Sequence, residues 1–246
     1  MKDNFSKQAA AYAQFRPHYP EEMIDAILRH VNAGDCALDV ATGNGQVAVL
    51  LTQHFEKVYA TDISQKQIDH AAQRPNVYYH VEAAERTRFN DHQFDLITVA
   101  QAIHWFDFES FYKEVDRILK PDGIFAVMGY GLLKTNPETD AIIGNLYRNI
   151  IGPYWDAERR YIDEMYQTIP FPFDEIPCPS FANSFNWALD QLVGYLNTWS
   201  ATQHYIKANG ENPVTLIYPE LEASWRNSNK EVVFPLLLRI GRKTIT

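Results

Sequence analysis

Apolar and polar positions follow two periods along this chain. Short, nearly continuous apolar runs recur at residues 36–41, 57–61, 77–81, 94–100 and 124–128. Runs of that length predict buried strands. Between them, apolar residues fall three and four apart. Met23, Ile24, Ile27, Leu28 and Val31 make one such stripe over residues 22–31. Phe111, Tyr112, Val115, Ile118 and Leu119 make another over residues 109–119. That spacing puts each set on one helix face. Val47, Val49, Leu50 and Leu51 predict a helix after Gly45. Ser64-Gln65-Lys66-Gln67 has the form of a capping box, so a further helix starts there and ends before Pro75. Residues 5–15 read as a short helix stopped at Arg16-Pro17. Strands alternating with helices predict an α/β fold, with a parallel sheet covered on both faces.

After Tyr130 the alternation stops. Residues 131–180 are rich in aromatics, and Pro170, Pro172, Pro177 and Pro179 predict a loop. Residues 189–200 read as a helix and residues 231–240 as a last strand. Pro235 in that strand implies a bulge or an edge position. The expected organisation is one domain over residues 1–246. An amino-terminal lid covers residues 1–20, and a mostly helical insert covers residues 131–200.

The chemistry concentrates where strands end. Leu38-Asp39-Val40-Ala41-Thr42-Gly43-Asn44-Gly45 runs from a strand into a glycine turn and then a helix. The next strand ends on Asp62. A tight turn and a carboxylate at neighbouring strand ends are suited to a nucleotide-like ligand. Gly43 and Gly45 can take positive φ and let a ligand approach the backbone. Asp62 can accept hydrogen bonds from both hydroxyls of a ribose. Two cofactor classes fit. A dinucleotide fingerprint needs Ala48 in its third glycine place, and Asp39 is no part of that pattern.

Composition narrows the setting. The net charge of −9 disfavours a broad phosphate-backbone interface, so no nucleic-acid partner is expected. Cys36 and Cys178 lie far apart without metal-ligand spacing, and no metal is expected. No signal core follows the amino terminus, and no apolar run is long enough for a bilayer. A soluble, cytoplasmic chain is the expectation.

The run from Leu38 to Gly45 resembles the first motif of the class I, Rossmann-like S-adenosylmethionine (SAM)-dependent methyltransferases, with Ala41 at the first glycine position. Further pieces match in order. Phe94-Asp95-Leu96-Ile97 followed by Ala100-Gln101-Ala102-Ile103-His104-Trp105-Phe106 is similar to the fourth-strand motif of the small-molecule members. Leu119-Lys120-Pro121-Asp122-Gly123 is similar to the motif after it. Tyr12, Arg16, Pro17, Tyr19 and Pro20, with Thr198-Trp199-Ser200, resemble the trans-aconitate methyltransferase-like subgroup. The resemblance implies a Rossmann-like, mostly parallel sheet of seven strands with one antiparallel strand.

It also implies roles. Gly43 and Gly45 face the methionine part of SAM, and Asp39 orients its amino group through water. Asp62 takes the ribose and Ile63 packs on the adenine. The family's acid for the adenine amino group falls on Ala83, which leaves a backbone bond from Ala84. Gln101 approaches the methionine moiety. Tyr12 and Arg16 come from the lid, and the Arg16 guanidinium suits the SAM carboxylate. Tyr19, His104 and Trp105 stand on the acceptor side.

The implied reaction is methyl transfer to a small-molecule carboxylate or hydroxyl. A carboxylate needs no base, whereas a hydroxyl or amine needs one, for which His104 is the candidate. Tyr154, Trp155, Tyr161, Tyr166, Phe171 and Phe173 either line an acceptor pocket or form the insert's own core. Arg159 and Arg160 either bind an acidic acceptor or, the simpler reading, are solvated surface positions. A non-catalytic SAM-binding regulator and a dinucleotide-dependent oxidoreductase stay open as alternatives. The lid is expected to be mobile without SAM, and the oligomeric state is left open.

Overall fold

The central predicted strands bury alternate residues on opposite sides, and this alternation builds two cores. The computed structural model of the chain describes residues 15–244. Tyr12 and most of the expected lid lie outside them. Five strands are parallel: β1 (Cys36–Val40), β2 (Lys57–Asp62), β3 (Val77–Val81), β4 (Phe94–Ala100) and β5 (Leu119–Tyr130). Leu96, Ile124, Ala126 and Met128 face one side, with helices α1 (Glu21–Leu28) and α2 (Gln46–Leu51) packed over them. Leu38, Ile97, Phe125 and Val127 face the other, under α4 (Phe108–Ile118). A short helix, α3 (Gln65–Asp69), starts where expected, and the Ser64 hydroxyl accepts from the Gln67 amide.

Three more strands complete the sheet: β6 (Asp174–Ile176), β7 (Phe181–Asn186) and β8 (Glu231–Arg242). The order is β3-β2-β1-β4-β5-β8-β6, with β7 also on β8. Leu236 pairs with Tyr130 on one side and Phe181 on the other, and Ile240 likewise with Ala126 and Ile176. So β6 and β7 share one edge of β8. The sheet therefore has seven positions, the last filled by two short strands. β8 is antiparallel to β5, β6 and β7, so it alone runs against the rest.

Two sequence expectations change here. The proline-rich stretch is not a plain loop, because residues 174–176 and 181–186 pair with β8. Pro235 is not on an edge strand, since β8 lies between β5 and the β6/β7 edge. The bulge alternative holds. Gly131 donates to the Pro235 carbonyl and Lys134 pairs with Val233, so three steps of one chain oppose two of the other. The ladder skips beside the residue that lacks an N–H.

The helical insert runs past its expected end. It comprises α5 (Pro137–Asn145), α6 (Arg160–Asp163), α7 (Leu189–Asn197), α8 (Ser200–Asn209) and α9 (Val214–Arg226). Leu192, Trp199, Leu221 and Trp225 join the core that holds α1 and α2. Among the described residues no helix is long and apolar enough to cross a membrane.

Candidate active site

Two adjoining cavities open at the carboxyl ends of the parallel strands. The first is a cleft of about 830 Å³, mouth included, floored by the turn after β1. Three residues of this turn are left-handed: Ala41 at φ 54°, Gly43 at 57° and Gly45 at 83°. The two glycines are required for different reasons. A Cβ on Gly43 would meet nothing within 4 Å, so its backbone angle alone selects glycine. A Cβ on Gly45 would also lie 2.3 Å from the Tyr79 hydroxyl oxygen. Gly45 thus serves packing against β3 and does not line the cleft. Ala41 takes the same conformation with a side chain, at a cost of about 1 kcal/mol.

Asp62 closes β2 against this turn. Its carboxylate accepts from the Gly43 amide at 2.9 Å and the Ser64 amide at 2.8 Å. Both oxygens are thereby oriented, and the side chain lines the cleft. A carboxylate has about four acceptor sites, so these amides do not exhaust it. Ile63 stands at the rim, 36% exposed. An apolar side chain left at the mouth of a cleft is suited to a flat ring.

Asp39 stands behind the turn. It is buried beneath the turn and does not line the cleft. Thr42 donates to one oxygen at 2.6 Å and Thr98 to the other at 2.8 Å. Burial pushes its carboxyl up to about 6, against the pull of those hydroxyls, and the charge of Asp62 adds in the same direction. Its reach to the cleft runs through Thr42, which does line it. Ala84 is buried in the second core, away from the cleft.

Gln101 ends β4 with φ 55°. Its side-chain oxygen accepts from the Tyr130 amide at 2.8 Å, and its nitrogen donates to the Tyr130 carbonyl at 3.2 Å. The amide therefore braces the ends of β4 and β5 while lining the cleft. Arg16 donates to the Tyr130 hydroxyl at 2.9 Å and to the Thr198 carbonyl at 3.0 Å. It borders both cavities, as Gln101 and Trp105 do. Tyr19, expected on the acceptor side, lines the first cleft instead.

The second cavity is built from side chains. His104 forms part of it, buried, with Nδ1 3.0 Å from the Tyr166 hydroxyl. Burial lowers its pKa to about 3, and the positive charge of Arg159 adds to this. The ring is neutral near pH 7 and a poor proton acceptor. Tyr166 is itself clamped. Arg239 donates to its carbonyl at 3.0 Å and to that of Ile169 at 2.8 Å, while pairing with Glu175 at 2.7 Å.

A comparison with known proteins decides the family. A methyltransferase of Dictyostelium discoideum is 32% identical over 98% of this chain and 95% of its own length. The chain belongs to the class I methyltransferases. Residues 38–127 of this methyltransferase match the methyltransferase domain family. A solved structure described as a type II methyltransferase, from Anaeromyxobacter dehalogenans, is 35% identical with a TM-score of 0.85. That match covers 94% of this chain and all of that one. A Saccharomyces cerevisiae relative, named as S-adenosylmethionine-dependent, is 24% identical over 53% of this chain and 47% of its own length.

The methyltransferase fold brings Arg16, Tyr19, Ala41, Gly43, Asp62, Ile63, Gln101 and Trp105 to the first cleft. Tyr12 falls outside the described residues. Sequence reasoning missed Tyr130, although the end of the fifth strand was a signal for it. For Arg159 it preferred the solvated surface to contact with an acidic acceptor, whereas that side chain is 13% exposed and lines the second cavity. Arg160 is exposed as expected. Of the six insert aromatics, Trp155 lines that cavity. Tyr161, Tyr166, Phe171 and Phe173 pack with the second core.

Proposed function

We propose that this methyltransferase transfers the methyl group of SAM to a small-molecule acceptor, a carboxylate or a hydroxyl compound. The observation that carries the reading is Asp62, held by two turn amides with its carboxylate on the cleft. That donor set fits SAM. Asp62 would take the ribose hydroxyls, Ile63 the adenine face, and Arg16 with the turn backbone the amino-acid end. The yeast relative's name supports the same cofactor.

Held by Asp62, Ile63 and Arg16, SAM would supply a methyl group already activated by its sulfonium, so the acceptor would need to offer only a lone pair. The chain's own work is alignment and exclusion of water, which account for much of the rate of such displacements. Trp105, Gln101 and Arg16 form the shared wall across which donor and acceptor meet. His104, neutral and weakly basic, is a poor base for a hydroxyl and favours an acceptor that ionises by itself, such as a carboxylate. The reading places the enzyme in the cytoplasm, acting on a small molecule and not on nucleic acid.

Calorimetric titration with SAM, its product S-adenosylhomocysteine (SAH) and NADH tests the cofactor. Micromolar binding of SAM and SAH, with none of NADH, is expected. NADH binding without SAM binding would return the turn to the dinucleotide class. SAM binding without consumption over a panel of carboxylates and hydroxyl compounds would favour the regulatory alternative.

A further inference from the structure

The second cavity carries a chemistry of its own. Arg159 lines it, mostly buried. Its Nε donates to the Tyr147 hydroxyl at 2.8 Å and lies 3.5 Å from Asp163. Its guanidinium rests 4.6 Å from the centre of the Trp155 ring. Neither Nη group meets a protein acceptor among the described residues. One edge of the fork is thus fixed by the protein, and the other is left for something else.

Trp199 lines the same cavity and is 1% exposed. Its indole Nε1 is buried and meets no acceptor among the described residues. Buried donors in folded proteins nearly always have partners, so an orphan donor in a residue that lines the cavity points to an acceptor atom that enters. Ser200, the first residue of the ten-residue helix α8, also lines the cavity. The amino end of that helix adds positive potential. Two cations, Arg16 and Arg159, stand against one carboxylate, Asp156, with His104 neutral between them. The walls are otherwise mostly apolar, with Trp105, Trp155 and Ile162.

We propose that the second cavity is an acceptor subsite for a small carboxylate, with the Arg159 Nη groups and the Trp199 indole N–H as its specificity-determining donors. Guanidinium and carboxylate match as a planar fork. The indole N–H adds a single directed bond, and the tryptophan faces cover the acceptor's carbon skeleton. A cationic acceptor is excluded by the same features, because Arg159 already occupies the face of Trp155. The inference rests on the methyltransferase reading and narrows its acceptor.

The test is calorimetric titration of the full chain with succinate, citrate and benzoate. Succinamide, benzamide and benzylamine are the matched controls. Each titration is run with and without saturating SAH. At least one carboxylate is expected to bind about tenfold or more tighter than its amide, as suits a bond between charged partners. Arg159→Met should lower carboxylate affinity about tenfold and leave SAH binding unchanged, whereas Arg159→Lys should restore part of it. Trp199→Phe keeps the ring packing and removes the donor, so a loss of about threefold is expected. Melting temperatures identify a variant that merely unfolds, and the Lys and Phe variants keep the test open in that case. Amides or benzylamine binding as tightly as carboxylates would overturn the proposal. So would carboxylate affinity unchanged in Arg159→Met, or no binding by any carboxylate. SAH binding without carboxylate preference defeats this inference alone, whereas absence of SAH binding defeats the cofactor reading.

Discussion

The two cavities share a wall but are built from different material. The first is floored by backbone: left-handed residues after β1, the end of β2, and amides that fix Asp62. The second is side chains drawn from far apart in sequence. His104 follows β4, Tyr166 lies 62 residues on, and Arg239 clamps Tyr166 from β8 a further 73 away. A backbone cradle is specified by a few adjacent residues and can hold the same ligand across relatives. A side-chain cavity depends on every segment that contributes to it, so it is where acceptor choice can change without altering the fold. If this difference is real, changes in the first cavity should alter cofactor binding and changes in the second should spare it.

The largest effect should follow loss of Asp62. On the proposed reading Asp62→Ala removes the acceptor for both ribose hydroxyls, together with the acceptor for two turn amides. Two bonds to a carboxylate, each about 1.5 kcal/mol or more, correspond to a loss of roughly a hundredfold in SAH affinity. Calorimetry reads it directly. Unchanged affinity would break the comparison, because the backbone cradle would then not be the cofactor site.

Tyr166→Phe probes the other side. It removes the hydroxyl that meets His104 at 3.0 Å and leaves the ring in the core. The expected cost is about 1 kcal/mol in denaturant unfolding. The acceptor KM should rise several-fold while SAH affinity stays constant. A parallel loss of SAH affinity would mean that the cavities act as one unit.

The same contrast governs what could be read from the sequence. Periodicity located β1 to β4 to within a residue but only residues 124–128 of β5, because residues 119–123 carry the helix-ending pattern Leu-Lys-Pro-Asp-Gly. The glycine turn and Asp62 were legible because their chemistry is local. The Pro170–Pro179 stretch misled, since proline marks breaks in pattern but cannot show that the residues between pair with β8. Arg159 misled in another way. An arginine pair in a polar run reads as solvated, and only the fold brings Trp155 and Tyr147 against Arg159. Residues 200–226 carried two helices that the reading stopped short of, since α8 packs on the turn at 152–154 and α9 on α5 and α7, and both show weaker stripes.

Asp39 offers a smaller effect with a definite sign. Burial favours its neutral form in the folded protein, holding the carboxyl at about 6 against an ordinary value of 3.8. Folding therefore takes up a proton between those values. Stability from this group is fully present below the ordinary value and is lost as pH rises through about 6. Asp39→Asn removes that dependence while keeping an acceptor for Thr42 or Thr98. Urea midpoints at pH 4.5 and pH 7 should show the variant gaining on the wild type as pH rises. A difference that stays constant between the two would show that Asp39 ionises normally.

The smallest effect belongs to Ala41, and it bears on why the turn tolerates a departure from glycine. At φ 54° an alanine sits where its Cβ crowds the following carbonyl, at a cost of about 1 kcal/mol. Glycine removes that crowding but gives the unfolded chain more freedom, worth about 0.4–1 kcal/mol against folding. The two nearly cancel, so Ala41→Gly should change stability by less than about 1 kcal/mol, on the stabilising side if by anything. Cofactor affinity should hold, because the amides of Gly43 and Ser64 bind Asp62 whatever side chain stands at 41. Denaturant unfolding and SAH titration on the one variant separate these claims. A marked loss of SAH affinity would show that the methyl group of Ala41 itself shapes the cleft, and the cradle would then be less purely backbone than Asp62 suggests.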